Sequence, residues 1–224
     1  MARLQLKGSL FKFEDLWATE NWVTATIAKS NEFSDLTISS QATLENGMAI
    51  QIDGVEALNG FWFISNYDLQ NNEYVQINEF LIKNSEEFAN SITAPTEVQI
   101  RIIPMLQSCK ISGGNVDFGK VNVTQELFAC GYEITASSKE NGTLSLNFGT
   151  DFEQKTQLQV LAEYNSPKYN REFVIFLQPK NSDIAFGWAV NTTGLNINFD
   201  ENFGTTAEFT LTKNTALLPT PETV

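Results

Sequence analysis

The sequence predicts a mainly β protein: a β-sandwich or barrel with one short α-helix, plus a smaller β module in the first half. Three observations predict it. Runs such as 132–136 (Tyr-Glu-Ile-Thr-Ala) and 143–148 (Thr-Leu-Ser-Leu-Asn-Phe) alternate with the two-residue period of half-buried strands. Only 18% of residues are charged while Asn, Thr and Ser are abundant, a polar chemistry that suits strand faces and long loops better than helix surfaces; the usual charged share is about a quarter. Hydrophobic residues make up 42% of the 224, with 17 Phe and 4 Trp, which is ample for a packed core.

Taken in order, the run 4–13 sets Leu4, Leu6, Leu10, Phe11 and Phe13 among polar residues. It reads either as an edge strand or as an arm extending onto a neighbouring subunit. Trp17 and Trp22 flank a polar link, and 22–28 alternates again. Residues 33–82 make a compact β pattern: 36–39, then 47–55, then 61–64, closed by 74–77 (Tyr-Val-Gln-Ile). Asn59-Gly60 is a tight-turn signal, because both residues accept positive φ cheaply, and Gly47 and Gly54 bracket a strand. The polar stretch 84–95 reads as a connector, after which 98–103 resumes alternation. The expected division is therefore 1–90 for arm and module (module about 33–82) and 91–224 for the larger sandwich domain with its tail.

In that second part the strand pair 132–136 and 143–148 precedes Thr150-Asp151-Phe152-Glu153, a capping box in which Thr150 accepts from the Glu153 amide and Glu153 reaches back. A helix from there to about residue 164 would bury Phe152, Leu158, Leu161 and Ala162 on one side. Strands are expected at 172–178, 184–191, 195–199 and 207–213. The tail, Leu217-Leu218-Pro219-Thr220-Pro221, cannot continue a sheet past its prolines, so it is expected to be disordered or laid against another subunit.

This order of elements resembles the tail tube proteins of long-tailed bacteriophages, most closely over 142–214. The likeness rests on a strand pair before a helix with a Leu-rich face (Leu158-Gln159-Val160-Leu161). It continues with a strand ending at a Pro-containing turn (Phe173 to Pro179), a Phe186-Gly187-Trp188 strand centre and a last strand Ala207-Glu208-Phe209-Thr210-Leu211. The segment 33–82, with Gly47, Ile52, Gly54-Val55 and Leu58-Asn59-Gly60, is similar to a small β module that recurs in phage tail and tail-fibre proteins.

The resemblance implies a structural virion protein of the tail, assembled in the host bacterial cytoplasm. Its subunits would close into rings, usually homohexamers, and donate strands to one inner β-barrel. Rings would stack through loops and arms, and DNA would pass during ejection without specific binding. Other tail proteins (terminator, distal tail, tape measure) would be partners. Ring contacts are expected from the loop 112–130 and the arm 1–13, hence from Leu4, Leu6, Phe11, Phe13, Val116, Phe118, Val121 and Val123. Lumen-facing candidates are Glu133, Thr135, Ser137, Thr143 and Ser145, with Glu133 as the acidic one. The module would sit on the outside, although the first hundred residues could instead be part of the tube wall. A terminator, hub or distal tail protein shares the same sandwich ancestry.

The formal net charge of −13 argues against gripping nucleic acid, since 14 basic residues are scattered among 27 acidic ones. A carboxylate-lined channel would instead let a polyanion slide without sticking, while the simpler reading of the acidity is solubility. There is no histidine, which removes Ser-His-Asp and Cys-His machinery and every His-dependent zinc site. No phosphate-binding glycine loop is present. Asp117, Glu126, Glu133, Asp151 and Asp183 lie in no recognisable catalytic setting, and Asp200-Glu201-Asn202 lacks the alternating spacing of a calcium loop. No enzyme activity, cofactor or metal is expected.

Nothing approaches the eighteen apolar residues of a membrane span, and residues 1–7 form no apolar signal core. Cys109 and Cys130 are therefore expected as reduced thiols of a cytosol-made protein, although their spacing permits a disulfide. The sequons at Asn122, Asn141 and Asn191 read as chance in an Asn- and Thr-rich chain. The rival class is a carbohydrate-binding module or adhesin using Phe61-Trp62-Phe63, consecutive aromatics that must face both sides of a strand. The alternative for those rings is cover by a second sheet or a neighbouring subunit, and Trp188 reads as core.

Overall fold

Alternating runs become strands almost wherever the sequence puts them. The computed structural model describes residues 10–107, 111–117, 121–127, 133–139, 143–149, 162–163, 166, 171–180, 182, 184–197, 204–211 and 216–219. In chain order the strands are β1 Leu10–Glu14, β2 Trp22–Lys29, β3 Leu36–Ser40, β4 Ala49–Asp53, β5 Gly60–Ser65, β6 Tyr67–Asp68, β7 Glu73–Tyr74, β8 Glu79–Ile82 and β9 Thr96–Ile102. They continue as β10 Met105–Gln107, β11 Ile111–Asp117, β12 Val121–Leu127, β13 Glu133–Lys139, β14 Thr143–Gly149, β15 Phe173–Gln178, β16 Ile184–Ile197, β17 Gly204–Leu211 and β18 Ala216–Pro219. The protein is mainly β. The helix expected over 150–164 lies outside the described residues except for Ala162 and Glu163, which are helical, and Cys109 and Cys130 also lie outside them.

Six strands close into a barrel in the order β2-β3-β8-β5-β4-β9. Alternate residues point inward, among them Ile27, Ile38, Ile52, Trp62, Ile64 and Ile100, all at most 3% exposed. Closure leaves the barrel no unpaired edge. Two features differ from the sequence reading. Strand β9 pairs with β2 and β4 and so completes the barrel, although a division at residue 90 put it in the second domain; its Val98 and Ile100 supply the last inward face. The closing strand expected at 74–77 is replaced by β8. Ile77 is 91% exposed, and Asn78 takes a positive φ of 71° that turns the chain just before β8 begins. At the β4–β5 connection Asn59 does accept a turn role: its Oδ1 receives the N–H groups of Gly54 (3.0 Å) and Val55 (3.1 Å), and Gly54 sits at φ 118°.

The second sheet runs β10-β1-β15-β16-β17-β14-β11, with β18 also beside β16. The barrel is an insertion between its neighbouring strands β1 and β10: Glu14 pairs with Met105, and the Asp15 N–H donates to the Pro104 carbonyl at 2.8 Å. Strand β16 is one run of 14 residues where two strands were expected, with an irregularity between Thr192 and Gly194. Its first half pairs with β15 and β18, its second with β17.

In a flat sheet β1 and β17 would lie three strand spacings apart, about 14 Å. The rings of Phe11 on β1 and Phe209 on β17 are instead 6.1 Å apart. The sheet therefore folds over along the bulged β16, as corner strands do, and its two halves face each other as a sandwich. Phe11, Phe13, Ile175, Leu177, Trp188 and Val190 meet Leu144 and Phe209 in that core, each at most 1% exposed.

The outer face of the first half packs on the barrel. Val174, Ala185, Ala189 and Leu218 lie against Ala49, Phe61, Phe63 and Ile103. Leu218 belongs to β18, so residues 216–219 of the tail, expected to be disordered or laid against another subunit, are a short strand with a leucine fully buried in their own chain; Pro219 sits at its end, opposite Ile184, where a missing N–H is tolerated. At the same junction a Cβ on Gly187 would stand 2.7 Å from the Phe63 ring. Gly187→Ala is expected to cost about 1–3 kcal/mol through overpacking, against the small gain that Gly→Ala brings in a strand free of clashes. A lower urea midpoint with unchanged slope would show it, and an unchanged midpoint would mean that the two units yield easily at this contact.

A buried ionic network ties the same joint. Glu14 is fully buried and accepts from Arg101 Nη2 at 3.0 Å and Arg171 Nη2 at 3.4 Å. Arg101 also donates to Gln51 on β4 (3.1 Å) and to Glu20 in the β1–β2 link (3.1 Å). The second carboxylate oxygen of Glu14 has no hydrogen-bond partner among the described residues.

Candidate assembly surface

Among the described residues the outer face of the second half-sheet has no such cover. Cross-strand partners share a face, and the register lines up Asp117–Thr143–Thr210–Asn191, then Asn115–Ser145–Glu208–Gly194, then Gly113–Asn147–Thr206–Asn196 across β11, β14, β17 and β16. Those twelve positions hold two carboxylates, no Lys or Arg and no large apolar residue. Thr143 and Glu208 are exposed, and Ser145, Asn191, Gly194 and Thr210 are half-buried, whereas Leu144 and Phe209 on the opposite face are fully buried. Because the sheet is folded, this polar face and the barrel lie on opposite sides of the sandwich core.

The same four strands have open edges among the described residues. Among the described residues β11 pairs only with β14. Among them the 191–197 half of β16 likewise pairs only with β17, since the β15 ladder reaches no further than Val190. Unpaired N–H and C=O rows of this kind are templates for another strand. Strands β12 and β13 form a separate two-stranded sheet whose pairs keep the register count of the β11–β14 ladder: Asp117 pairs with Thr143, Val121 with Lys139 and Leu127 with Glu133. No third strand flanks them among the described residues, and a two-stranded ribbon is marginal in water by itself.

The predicted site residues distribute as follows. Thr143 and Ser145 lie on the polar face. Glu133, Thr135 and Ser137 pair with Leu127, Gln125 and Val123 on the hairpin beyond it, and Val121 pairs with Lys139 there. Val116 falls in line with the core residues Leu144 and Phe209, on the face opposite the polar one. Phe11 and Phe13 are wholly inside the sandwich core, where their own subunit covers them, so they cannot meet a neighbour. Leu4, Leu6 and Phe118 lie outside the described residues. The sequence reading missed Glu208, Thr210, Asn191 and Asp117 as members of one face. The alternation around Phe209 marks Glu208 and Thr210 as outward, but only strand order brings the four together.

Phe61, Trp62 and Phe63 are 7%, 3% and 1% exposed, with Trp62 inside the barrel and the two phenylalanines under the sandwich. No face of β5 is left as a sugar platform. Among the described residues no group of three or more Cys, Asp or Glu could hold a metal ion. No protein-family model and no curated protein matches the chain.

Proposed function

We propose that the protein is a structural subunit of a phage tail tube, closing into rings that stack and conduct DNA past an acidic lumen. The observation that carries this reading is the four-stranded polar face, which among the described residues has an unpaired edge on each side. Neighbouring strands in it are all antiparallel. Because their number is even, the β16 edge of one copy meets the β11 edge of the next antiparallel under any rotational symmetry, and a closed barrel needs no parallel seam. Sixfold closure would join about 24 strands into a barrel on the order of 45 Å across.

Further features support the same arrangement. The barrel lies behind the core from the polar face, hence on the outside of such a ring. The β12–β13 pair keeps the register count of the β11–β14 ladder, and a stacked ring would supply the neighbours it lacks among the described residues. Asp117 and Glu208 would give every copy two lumen carboxylates and no cation, so that DNA is repelled from the wall. Terminator, distal tail and tape measure proteins are the partners this role requires, and the virion tail is its place.

Negative-stain imaging across a concentration series tests the proposal. Hollow rings or tubes are the expected result. Monomers persisting at the highest concentration, or closed dimers, would overturn it.

A further inference from the structure

One ion pair of the barrel has the surroundings of a condensation site. Asp35 and Lys83 stand one step beyond the Leu36–Ile82 pair of β3 and β8, so they face each other across antiparallel strands, 48 positions apart in sequence. Lys83 Nζ lies 2.8 Å from Asp35 Oδ2, and each side chain is only 10% exposed. Both main chains are anchored: the Lys83 N–H donates to the Phe63 carbonyl at 2.9 Å, and the Leu36 N–H to Ser85 Oγ at 2.7 Å. Asn84 takes a positive φ of 61°, and that left-handed residue lets Lys83 and Ser85, on either side of it, both reach Asp35.

Two further groups act on the same carboxyl. The Ser85 N–H donates to Asp35 Oδ1 at 2.8 Å. The Glu86 carboxyl also hydrogen-bonds Asp35. Its own main-chain N–H and the charge of Lys83 pull its titration down, but partial burial together with the hydrogen bond and charge of Asp35 raises it above the ordinary value. Two carboxyl groups in one hydrogen bond share a proton. Asp68 Oδ1, 4.0 Å from Nζ, is beyond hydrogen-bond reach, and Asp68 accepts instead from the Gln70 N–H and Asn71 Nδ2. A second carboxyl beside Asp35 weakens a mere ion pair by like-charge repulsion, whereas a condensation requires such a proton donor.

We propose that Lys83 and Asp35 condense into an intramolecular isopeptide bond, which staples β3 to β8. The Nζ–Cγ bond forms and the Cγ–Oδ2 bond breaks; Oδ2 leaves as water, and nothing is oxidised or reduced. One of the two protons on that water crosses the 2.8 Å contact from the ammonium. The other comes from Glu86, which takes a replacement from nitrogen and ends as it began, while the third ammonium proton stays as the amide N–H. The Ser85 N–H holds the negative charge that develops on Oδ1. Groups held in contact react as though at about 10⁵ M or more, and low exposure keeps back the water that would reverse the step. The bond forms within a single copy, so it does not depend on the tube reading.

Denaturing mass spectrometry of the full chain tests it. The expected intact mass is one water below that of the sequence, with or without Met1, and trypsin should leave a branched peptide joining Lys83 to Asp35. Lys83→Arg keeps the cation and its ion pair but offers no nucleophilic amine, so it should fold and show the full mass. Glu86→Gln leaves both reacting groups in place and should link at least about tenfold more slowly through a cell-free synthesis, as loss of a proton-transfer partner demands. A parent at full mass, a lost water that maps elsewhere, or a loss that persists in Lys83→Arg would overturn the proposal, and so would a Glu86→Gln chain that links at the parental rate.

Discussion

Arg101→Met is expected to destabilise the protein by about 3–5 kcal/mol, because it strands a buried carboxylate. Glu14 is fully buried and Arg101 nearly so, at 0% and 5% side-chain exposure, so their 3.0 Å contact is not a screened surface pair. Arg171 would remain 3.4 Å from Glu14, but it is 40% exposed and holds the carboxylate less firmly. The loss should appear as a lower urea midpoint. Removing both partners, as Glu14→Leu with Arg101→Met, should recover much of it, since apolar replacements of a buried pair are often neutral or better. A loss below about 1 kcal/mol for Arg101→Met would mean that water reaches Glu14.

The pH dependence of that experiment has a definite sign. Burial pushes the Glu14 carboxyl above its ordinary range; the charges of Arg101 and Arg171 and the hydrogen bonds from Arg101 and the Val174 main chain pull it down without cancelling the rise. A group raised on folding contributes stability below its unfolded titration and loses it as pH rises through the folded value. Glu14 therefore costs stability at neutral pH and less as pH falls toward its ordinary range. Without Arg101 the strongest downward pull is gone and the carboxyl rises further. The gap between Arg101→Met and the parent should narrow on acidification, and Glu14→Gln should flatten this part of the pH profile.

Strand existence was legible in the chain, and strand company was not. Alternation located β2, β5, β14 and β15 within a residue or two, because half-burial imposes period two whatever the neighbour is. Nothing in that period says that β9 closes the barrel or that β1 lies beside β15, since these pairings reach across about 50 to 170 residues. The two strands expected at 184–191 and 195–199 are one, because a bulge at Thr192 and Gly194 breaks the pattern without breaking the strand. The aromatic run 61–63 was readable as facing both ways. Which surfaces received it, barrel interior and sandwich, depended on an insertion whose stem lies far away in sequence. Phe11 and Phe13 look the same on paper whether they serve a core or a neighbour, and only the fold-over that brings Phe11 to Phe209 decides for the core.

That fold-over makes Phe209 and Glu208 a discriminating pair, adjacent in sequence and opposite in role. Phe209 joins the two half-sheets, with its ring 6.1 Å from Phe11 and 5.9 Å from Phe173. Phe209→Ala is expected to cost about 3–5 kcal/mol, the transfer and cavity terms of a buried aromatic together, and to abolish assembly along with folding. Glu208 stands exposed on the polar face in line with Ser145 and Gly194. Glu208→Lys should leave the urea midpoint within about 0.5 kcal/mol of the parent, as surface changes usually do. If the chain closes into rings as proposed, they should still form, because edge pairing uses main-chain groups, but their inner wall would exchange one carboxylate per copy for a cation. Tubes of that variant should retain DNA in a salt-dependent way that parent tubes do not. A Glu208→Lys protein with parental stability and parental indifference to DNA would remove the polar face from the lumen, and a polar face that repels nothing would leave the acidity of this chain to solubility alone.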